Sequence, residues 1–267
     1  MTTLLGFYAF ALGAVIGSFL NVVIHRWPRE ESIVFPGSHC PNCNAAIRWY
    51  DNIPLLSWTV LRGRCRSCAT PIAVRYPLVE AANALFYLAL FLRTGVSLDF
   101  LPLAAIVSMT IVLIWIDLDV QLLPDVVNYP GILLGILVGV LMLGDLYAGD
   151  LVLARSWSDS VYGAALGGGI LLFVALAYRF LRNIEGMGMG DVKMLAMIGA
   201  VGGLRAVVPV LFLASVTGAV AGVSLAIGQK RDYKFALPFG IFLGIAFLSV
   251  TFFGAHWIDW YFGMLLG

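Results

Sequence analysis

All four cysteines of the chain lie in one polar segment, as two Cys-x2-Cys pairs. The pairs are Cys40 with Cys43 and Cys65 with Cys68. Each pair can present two thiolates to one side, and two pairs complete a tetrahedral sulfur site of the kind that binds zinc. Two disulfides are the alternative, but the surrounding arginines place the segment in the reducing cytoplasm, where stable disulfides are rare. The sequence therefore predicts one structural zinc ion, because four thiolates leave no open coordination position.

A second group of reactive side chains consists of carboxylates at the ends of apolar segments, where they are costly unless they have a function. Asp117, Asp119 and Asp125 lie close together after one such segment, in a loop without a basic residue. Asp191 opens another segment directly after a run of alternating glycines, and Lys193 follows it. Both segment ends fall on the same side of the membrane in an eight-span topology, so Asp117 and Asp191 are expected to approach each other.

Two carboxylates held together at a membrane boundary cannot both ionise cheaply, so they share one proton. An aspartic protease needs this state, with the ionised carboxylate as the base for water and the protonated one as the donor to the carbonyl oxygen. Gly188 and Gly190 have no Cβ atoms and would let an extended substrate strand pass close to Asp191.

Helix capping is the simpler interpretation of each aspartate taken alone. An Asp at a helix N-terminus is more often a cap than a catalyst. This interpretation fits Asp125, which follows Pro124 at the start of a new helix, and it leaves Asp119 as a solvated neighbour. It fits Asp117 poorly, because a carboxylate at a helix C-terminus opposes the helix dipole.

The composition excludes an ordinary soluble globular protein. Of the 267 residues, 61% are hydrophobic and 12% are charged, about half the usual charged fraction, and the mean hydropathy is +0.96. Glycine and proline are scattered through apolar runs, which excludes disorder, coiled coil and collagen. A net charge of +1 provides no basic field for nucleic acid. The predicted class is an all-α polytopic membrane protein.

Apolar stretches of suitable length predict about eight transmembrane helices. They cover residues 4–24, 77–92, 100–116, 126–143, 161–178, 192–204, 206–227 and 235–253. The second and the sixth are short and carry Glu80 and Lys193, respectively. Residues 192–204 are therefore expected either to cross the membrane or to re-enter it.

With eight spans, most basic residues fall on one side of the membrane. The first loop holds seven arginines, the fifth loop three basic residues, and the seventh loop three more at 230–234. The positive-inside rule makes these loops cytoplasmic and both termini external. Asp145, Asp150 and Asp159 fall in external loops, where replacement by Asn is expected to be tolerated.

Several segments together resemble the type IV prepilin peptidases, which are bacterial inner-membrane aspartic proteases of the Gly-x-Gly-Asp class. The segments are residues 17–26 (Gly-Ser-Phe-Leu-Asn-Val-Val-Ile-His-Arg), the two cysteine pairs, Asp117-Leu118-Asp119 with Leu123-Pro124-Asp125, and Gly188-Met189-Gly190-Asp191-Val192-Lys193. They follow the family order and cover most of the chain.

The resemblance implies that Asp117 and Asp191 are the catalytic pair. The residues that would support this pair are Gly188, Gly190, Asp119, Asp125 and Lys193. The polar insertion divides the chain into a first transmembrane helix at 1–24, a cytoplasmic zinc-binding loop at 25–76, and a bundle at 77–267 that the resemblance identifies as a transmembrane aspartic protease bundle.

The family cleaves the leader peptide from type IV prepilins and type II secretion pseudopilins at the cytoplasmic face of the inner membrane. Many members then methylate the new N-terminus with S-adenosylmethionine. The resemblance thus implies these substrates and S-adenosylmethionine as a cofactor, beside the Zn²⁺ that the cysteine spacing predicts and the lipid environment that the composition predicts. No motif identifies the S-adenosylmethionine site. A proton-coupled transporter and a zinc-ordered assembly protein are the alternatives. Transport would predict inverted repeats, which the sequence lacks, and gives no reason for a zinc site.

Overall fold

The computed structural model describes residues 2–97, 99–141, 151–182, 188–229 and 237–266, and these are mostly helical. Within those ranges no β-strand forms; two isolated bridges join His39 to Ala46 and Arg64 to Pro71. The all-α prediction is confirmed. Several residues named in the sequence analysis lie outside the described ranges, namely residues 186 and 187 of the glycine run, the basic residues at 230–234, and Asp145 and Asp150.

Eight α-helices follow one another in the described part of the chain. They are α1 (Thr2–Arg26), α2 (Leu56–Val60), α3 (Arg75–Thr94), α4 (Phe100–Val120), α5 (Asp125–Leu141), α6 (Trp157–Arg182), α7 (Met189–Gln229) and α8 (Phe239–Leu266). Short 3₁₀-helices at Trp27–Arg29 and Trp49–Asp51 lie in the polar segment between α1 and α3.

The number of helices that are long and apolar enough to cross a membrane is smaller than predicted. Within the described residues, five qualify: Thr2–Arg29, Phe100–Val120, Trp157–Arg182, Met189–Ile227 and Phe239–Trp257. Helix α3 does not qualify, and Asp125–Val140 is a shorter apolar helix. The predicted segments 192–204 and 206–227 correspond to the two halves of α7, which are joined across a break at Gly203. The polytopic class is confirmed, but the count of eight full spans is not.

Helix α7 is interrupted at Gly203, where φ is 67° and ψ is −172°. A positive φ favours glycine, and a Cβ there would lie 2.7 Å from Cγ of Asp159. The Asp159 carboxylate accepts hydrogen bonds from the N–H groups of Leu204 (3.0 Å) and Arg155 (2.9 Å). It therefore caps the second half of α7, as a helix N-terminus requires. Residues 192–204 thus coincide with the first half of α7.

The chain divides into two compact units, Met1–Val112 and Leu113–Gly267. In the first, α1 packs along α3 with closely spaced backbones. A Cβ at Gly13 would lie 2.8 Å from Cα of Ala84, and one at Gly17 would lie 2.8 Å from Cα of Glu80. This small-xxx-small spacing is typical of membrane helix pairs. Buried Asn83 adds a polar link, since its Nδ2 donates to the carbonyl oxygen of Gly13 at 2.7 Å.

In the second unit, α7 packs against α5, α6 and α8. Its first half is buried through apolar side chains such as Leu195 and Ile198. Glycines on the neighbouring helices permit the close packing: a Cβ at Gly167 of α6 would lie 3.0 Å from the carbonyl carbon of Leu195, and one at Gly135 of α5 would lie 2.9 Å from that of Ala200. This packing fixes the helix ends that carry the acidic residues.

Candidate active site and metal centre

Asp117 lies in the last turn of α4, and its side chain is buried, with 4% of its surface exposed. Its Oδ2 accepts a hydrogen bond of 3.0 Å from the N–H of Ile241, and the N–H of Gly240 also donates to the carboxylate. Both N–H groups belong to the first turn of α8, which begins at Phe239. Asp117 opposes the dipole of its own helix but caps α8, whose N-terminal partial positive charge favours a carboxylate.

Asp191 lies in the first turn of α7 and is partly exposed. Its backbone N–H donates to the carbonyl oxygen of Gly188 at 3.2 Å, which closes a turn across the glycine run. The carboxylate interacts electrostatically with that of Asp117. The second unit thus brings two carboxylates together from the C-terminal end of one helix and the N-terminal end of another.

Leu123 packs between two glycines beside the carboxylates. A Cβ at Gly190 would lie 2.8 Å from Cβ of Leu123, and one at Gly240 would lie 3.0 Å from both Leu123 methyl carbons. A Cβ at Gly240 would also lie 2.8 Å from Oδ2 of Asp117. A side chain at either position would displace Leu123, and at Gly240 it would also displace the carboxylate. The sequence patterns point to Leu123 only as part of Leu123-Pro124-Asp125 and do not single out Gly240, although Pro238 before an apolar run signals a helix start.

Gly188 differs from Gly190 in its surroundings. It is exposed, and the atoms nearest to a Cβ there would be Oδ2 of Asp191 at 3.7 Å and N of Gly190 at 3.9 Å. These are ordinary van der Waals distances, so the space beside this glycine is open next to the Asp191 carboxylate. An extended peptide backbone could therefore approach the carboxylate from this side.

Asp125 and Lys193 form an ion pair that joins α5 to α7. The Lys193 Nζ lies 2.7 Å from both oxygens of Asp125, and it also lies over the ring of Tyr129, 5.3 Å from the centroid. The side chains are 54% exposed for Asp125 and 25% for Lys193. Asp125 also lies in the first turn of α5. The pair tethers the start of α5 to the turn that carries Asp191.

Asp119 is exposed at the end of α4, whereas Asp117 is buried. Residues two apart on a helix lie on different faces, so Asp119 and Asp117 lie on different faces of α4. A residue absent from the sequence analysis, Asn128, is fully buried, and its Nδ2 donates to the carbonyl oxygen of Leu123 at 3.3 Å. Asn128 thus fixes the turn that holds Leu123 between the two glycines.

The four cysteine sulfurs lie within 4.8 Å of one another. All four are free thiols, and the sulfurs of Cys40 and Cys68 are 3.8 Å apart. A disulfide requires about 2.05 Å, whereas a tetrahedral zinc site with bonds of about 2.3 Å places its sulfurs about 3.8 Å apart. The cluster therefore fits one tetrahedral metal ion, and the alternative of two disulfides does not fit these distances.

The two cysteine pairs sit on turns with the same backbone hydrogen bonds. Cys40 donates to Ala45 and accepts from Asn44, while Cys65 donates to Thr70 and accepts from Ala69. The N–H of Ile47 closes the first turn on Ser38, and that of Ile72 closes the second on Gly63. Asn44 and Ala69 both have positive φ, 55° and 56°. Each turn therefore orients two sulfurs by local backbone bonding, and we call the two turns the cysteine knuckles (residues 38–47 and 63–72).

Polar neighbours favour the thiolate at one ligand position. Hydrogen bonds with Thr70, first through its hydroxyl and then through its backbone, lower the pKa of Cys68 to about 6, and Asn42 contributes a further bond. A thiolate is the form that coordinates a metal. Outside the cluster, Arg66 forms a bidentate ion pair with Asp51, with Nη2 to Oδ1 at 2.6 Å.

Two families account for most of the chain. Residues 11–94 match the bacterial peptidase A24 N-terminal domain, and residues 104–223 match the type IV leader peptidase family. Similar proteins named prepilin leader peptidase/N-methyltransferase occur in several bacteria. The Aeromonas hydrophila protein is 36% identical, over 94% of this chain and 92% of that protein, and the Pseudomonas putida protein is 38% identical, over 89% and 87%.

A third relative with the same name, from Myxococcus xanthus, is 39% identical over 84% of this chain. The match covers 64% of that protein, slightly less than two thirds of its length. No solved structure matches the chain.

Proposed function

The chain belongs to the type IV leader peptidase family, and from this membership we propose that it is a membrane aspartic endopeptidase that removes the leader from type IV prepilins and type II secretion pseudopilins. It then methylates the new N-terminal amine with S-adenosylmethionine, an activity that the names of its relatives state for those proteins. The observation that carries the protease assignment is the juxtaposition of Asp117 and Asp191 at the ends of two helices. Neither transport nor a purely structural role is favoured by the family.

Hydrolysis of a peptide bond by two carboxylates needs one base and one acid. The N–H groups of Gly240 and Ile241 stabilise negative charge on Asp117, so we assign Asp117 as the base. It takes a proton from water while the water oxygen attacks the scissile carbonyl carbon. Protonated Asp191 donates its proton to the carbonyl oxygen.

The tetrahedral intermediate then collapses. Asp117 gives its proton to the leaving amine as the C–N bond breaks, and Asp191 recovers a proton from the hydroxyl that becomes the new carbonyl oxygen. The pair returns to its single-proton state, so each turnover consumes one water molecule and leaves the enzyme unchanged.

The substrate must place its backbone beside both carboxylates. Gly188 supports this arrangement, because the space beside it is open next to Oδ2 of Asp191. Gly190 contributes in another way: its missing side chain makes room for Leu123. We therefore assign Gly188 to substrate approach and Gly190 to the packing of the site. The ion pair of Asp125 and Lys193 holds the turn of residues 188–191 in place.

We further propose that the cysteine loop and both aspartates face the cytoplasm of the bacterial inner membrane. The arginines of the first loop support this side through the positive-inside rule, and free thiols agree with a reducing compartment. Zinc, when bound, supplies a structural cross-link between the cysteine knuckles. The residues that would hold it are Cys40, Cys43, Cys65 and Cys68.

Product mass tests both activities at once. Purified full-length protein in detergent is incubated with a prepilin and S-adenosylmethionine; loss of the leader reports the peptidase, and one added methyl group reports the methyltransferase. Asp117→Asn and Asp191→Asn should each abolish leader loss. Asp119→Asn is the matched control, since it changes an exposed carboxylate at the same helix end. Normal cleavage by folded Asp117→Asn protein would overturn the assignment.

A further inference from the structure

A pocket of about 330 Å³ lies where the C-terminal half of α1 meets the polar segment that follows it. Helix α1 lines it with Val15, Ser18, Phe19, Val22 and Arg26, whose spacing follows one helix face. The opposite wall is formed by Ile33, Val34, Pro36, Gly37, Ser38, Asn52 and Pro54. These residues belong to the first compact unit, whereas Asp117 and Asp191 belong to the second. None of the residues that line the pocket has a role in the proteolytic steps proposed above.

The Arg26 side chain gives the pocket a positive charge. It is 9% exposed, and its Nη1 donates to the carbonyl oxygen of Ser32 at 2.9 Å while its Nη2 reaches that of Gly37 at 3.5 Å. Both of these hydrogen-bond partners are neutral carbonyl groups. Within the described part of the chain, neither hydrogen bond of the guanidinium is made to a carboxylate. A buried guanidinium is costly without a counterion, and its planar fork matches a carboxylate. The pocket is thus suited to a ligand that carries a carboxylate.

One wall of the pocket is held in place from α3. The Glu80 carboxylate accepts the backbone N–H of Leu55 at 2.8 Å and a hydrogen bond from the Ser18 hydroxyl. Leu55 has φ 62° and ψ −48°, a conformation that a residue with a branched side chain adopts only when its surroundings impose it. Ser18 and Pro54, which face the pocket, are therefore fixed by one buried carboxylate. A wall fixed before binding lowers the entropy cost of holding a ligand.

The remaining lining combines apolar and polar groups. Phe19, Val15 and Val22 offer an apolar wall for a flat ring, while Ser18 and Asn52 offer groups that can bond to hydroxyls. A volume of about 330 Å³ lies at the lower end of the range for small-molecule sites, about 300–1,000 Å³.

We propose that this pocket is the binding site for S-adenosylmethionine, with Arg26 as the counterion of the ligand carboxylate. The inference rests on the proposed methyltransferase activity and adds the location of its methyl donor. The ligand has the required parts: a carboxylate, a flat adenine ring, and ribose hydroxyls. Arg26 acts on binding, and the methyl group moves from the sulfonium to the amine nitrogen, which loses a proton.

Two ligands, one with the amino-acid carboxylate and one without it, test the role of Arg26 through their binding affinities, without any measurement of activity. S-adenosylhomocysteine contains the amino-acid portion with its carboxylate, and methylthioadenosine has the same thioadenosine without that portion. With full-length wild-type protein in detergent, calorimetry should show that S-adenosylhomocysteine binds at least about tenfold more tightly than methylthioadenosine. In Arg26→Gln this advantage should fall to less than about threefold. Arg29→Gln removes an exposed arginine from the same segment and should leave the advantage intact.

A second variant and a photo-cross-linking experiment show where S-adenosylmethionine binds. Val22→Trp should fill the pocket and weaken S-adenosylmethionine binding at least about tenfold, whereas Leu12→Trp, at an exposed position of α1 outside the pocket, should not. Photo-cross-linked S-adenosylmethionine should map to peptides within residues 15–38 or 52–54.

The outcomes separate this inference from the function on which it rests. A cross-link elsewhere, full binding by folded Val22→Trp, or an unchanged carboxylate advantage in folded Arg26→Gln overturns the site, while methylation by the wild type still stands. A wild type that neither binds S-adenosylmethionine nor adds a methyl group overturns the methyltransferase proposal and this inference with it, while leader cleavage remains a separate result.

Discussion

The carboxylate of Asp117, near the end of α4, accepts a hydrogen bond of 3.0 Å from the backbone N–H of Ile241 in the first turn of α8. The bond joins helix ends that are far apart in sequence. It fixes one carboxylate while Asp191 remains partly exposed beside it. A pair in which one member is held and the other is accessible suits a reaction in which base and acid have different tasks.

The two aspartates should act as one unit. Asp117→Asn and Asp191→Asn should each lower the rate of leader cleavage by more than about a thousandfold, and the double variant should be little slower than either. Asp117→Glu should also lose most activity, because the longer side chain moves the carboxylate by about an ångström. Single-turnover cleavage measures these rates. Losses that multiply in the double variant would show that the residues act independently.

Gly240 should be intolerant of a side chain. A Cβ there would lie 2.8 Å from Oδ2 of Asp117 and 3.0 Å from the methyl groups of Leu123, so Gly240→Ala should slow cleavage by about a hundredfold. Gly169→Ala is the control, since its Cβ would meet no atom within 4 Å. The kcat for leader cleavage, measured for each variant, tests this prediction. A Gly240→Ala enzyme with the wild-type kcat would mean that the carboxylate is not positioned by this contact.

The ion pair of Asp125 and Lys193 should contribute little to overall stability. Asp125 is 54% exposed, so solvent and salt screen the pair, and a double-mutant cycle of Asp125→Asn and Lys193→Met should give a coupling below about 1 kcal/mol in thermal unfolding. Cleavage should fall severalfold in each single variant and no further in the double variant. Additive losses of activity would contradict a shared role of the pair.

The cysteine cluster should bind about one zinc ion per chain. Cys40→Ser and Cys68→Ser should lose the metal, and a chelator should increase the proteolysis of residues 38–72, because the metal supplies folding energy to a segment with few buried apolar residues. His39→Ala should keep the metal, since the His39 ring contacts the carbonyl oxygen of Gly37. Elemental analysis measures the metal. Two disulfides in freshly isolated protein would contradict this prediction.

Asp159 should stabilise the break in α7. Asp159→Ala removes the acceptors for Leu204 and Arg155 and should lower the free energy of unfolding by about 0.5–2 kcal/mol, the usual loss on removing a cap. Asp159→Asn keeps one acceptor oxygen and should be better tolerated. Thermal unfolding in detergent distinguishes the variants. Equal stability of the Ala variant and the wild type would mean that water replaces the cap.

Local signals in the sequence were sufficient for the helical class and the cysteine cluster. Hydropathy located the apolar helices, and the Cys-x2-Cys spacing predicted a cluster whose sulfurs lie within 4.8 Å. The roles of Asp117 and Asp191 remain predictions from the resemblance, supported by the electrostatic contact between them.

Contacts between distant segments were not predictable in the same way. Gly240 faces Asp117 only because α8 begins beside the end of α4, and nothing in the local sequence of either segment encodes that contact. The cap of Asp159 on Leu204 has the same origin. The predicted division between 192–204 and 206–227 corresponds to the break in α7 at Gly203. Fewer long apolar helices are found than predicted because α3 does not qualify, Asp125–Val140 is short, and the two halves of α7 fall within one helix.

The duplicated hydrogen bonding of the cysteine knuckles affects how much the segment between them can vary. Each knuckle closes over ten residues, so both can form locally before a metal joins them. The metal then closes the loop of residues 48–62, and the entropy of closing a flexible loop grows only with the logarithm of its length. Doubling that length would cost about 0.6 kcal/mol. Insertions there would leave metal affinity nearly unchanged, provided that Leu55 keeps its hydrogen bond to Glu80.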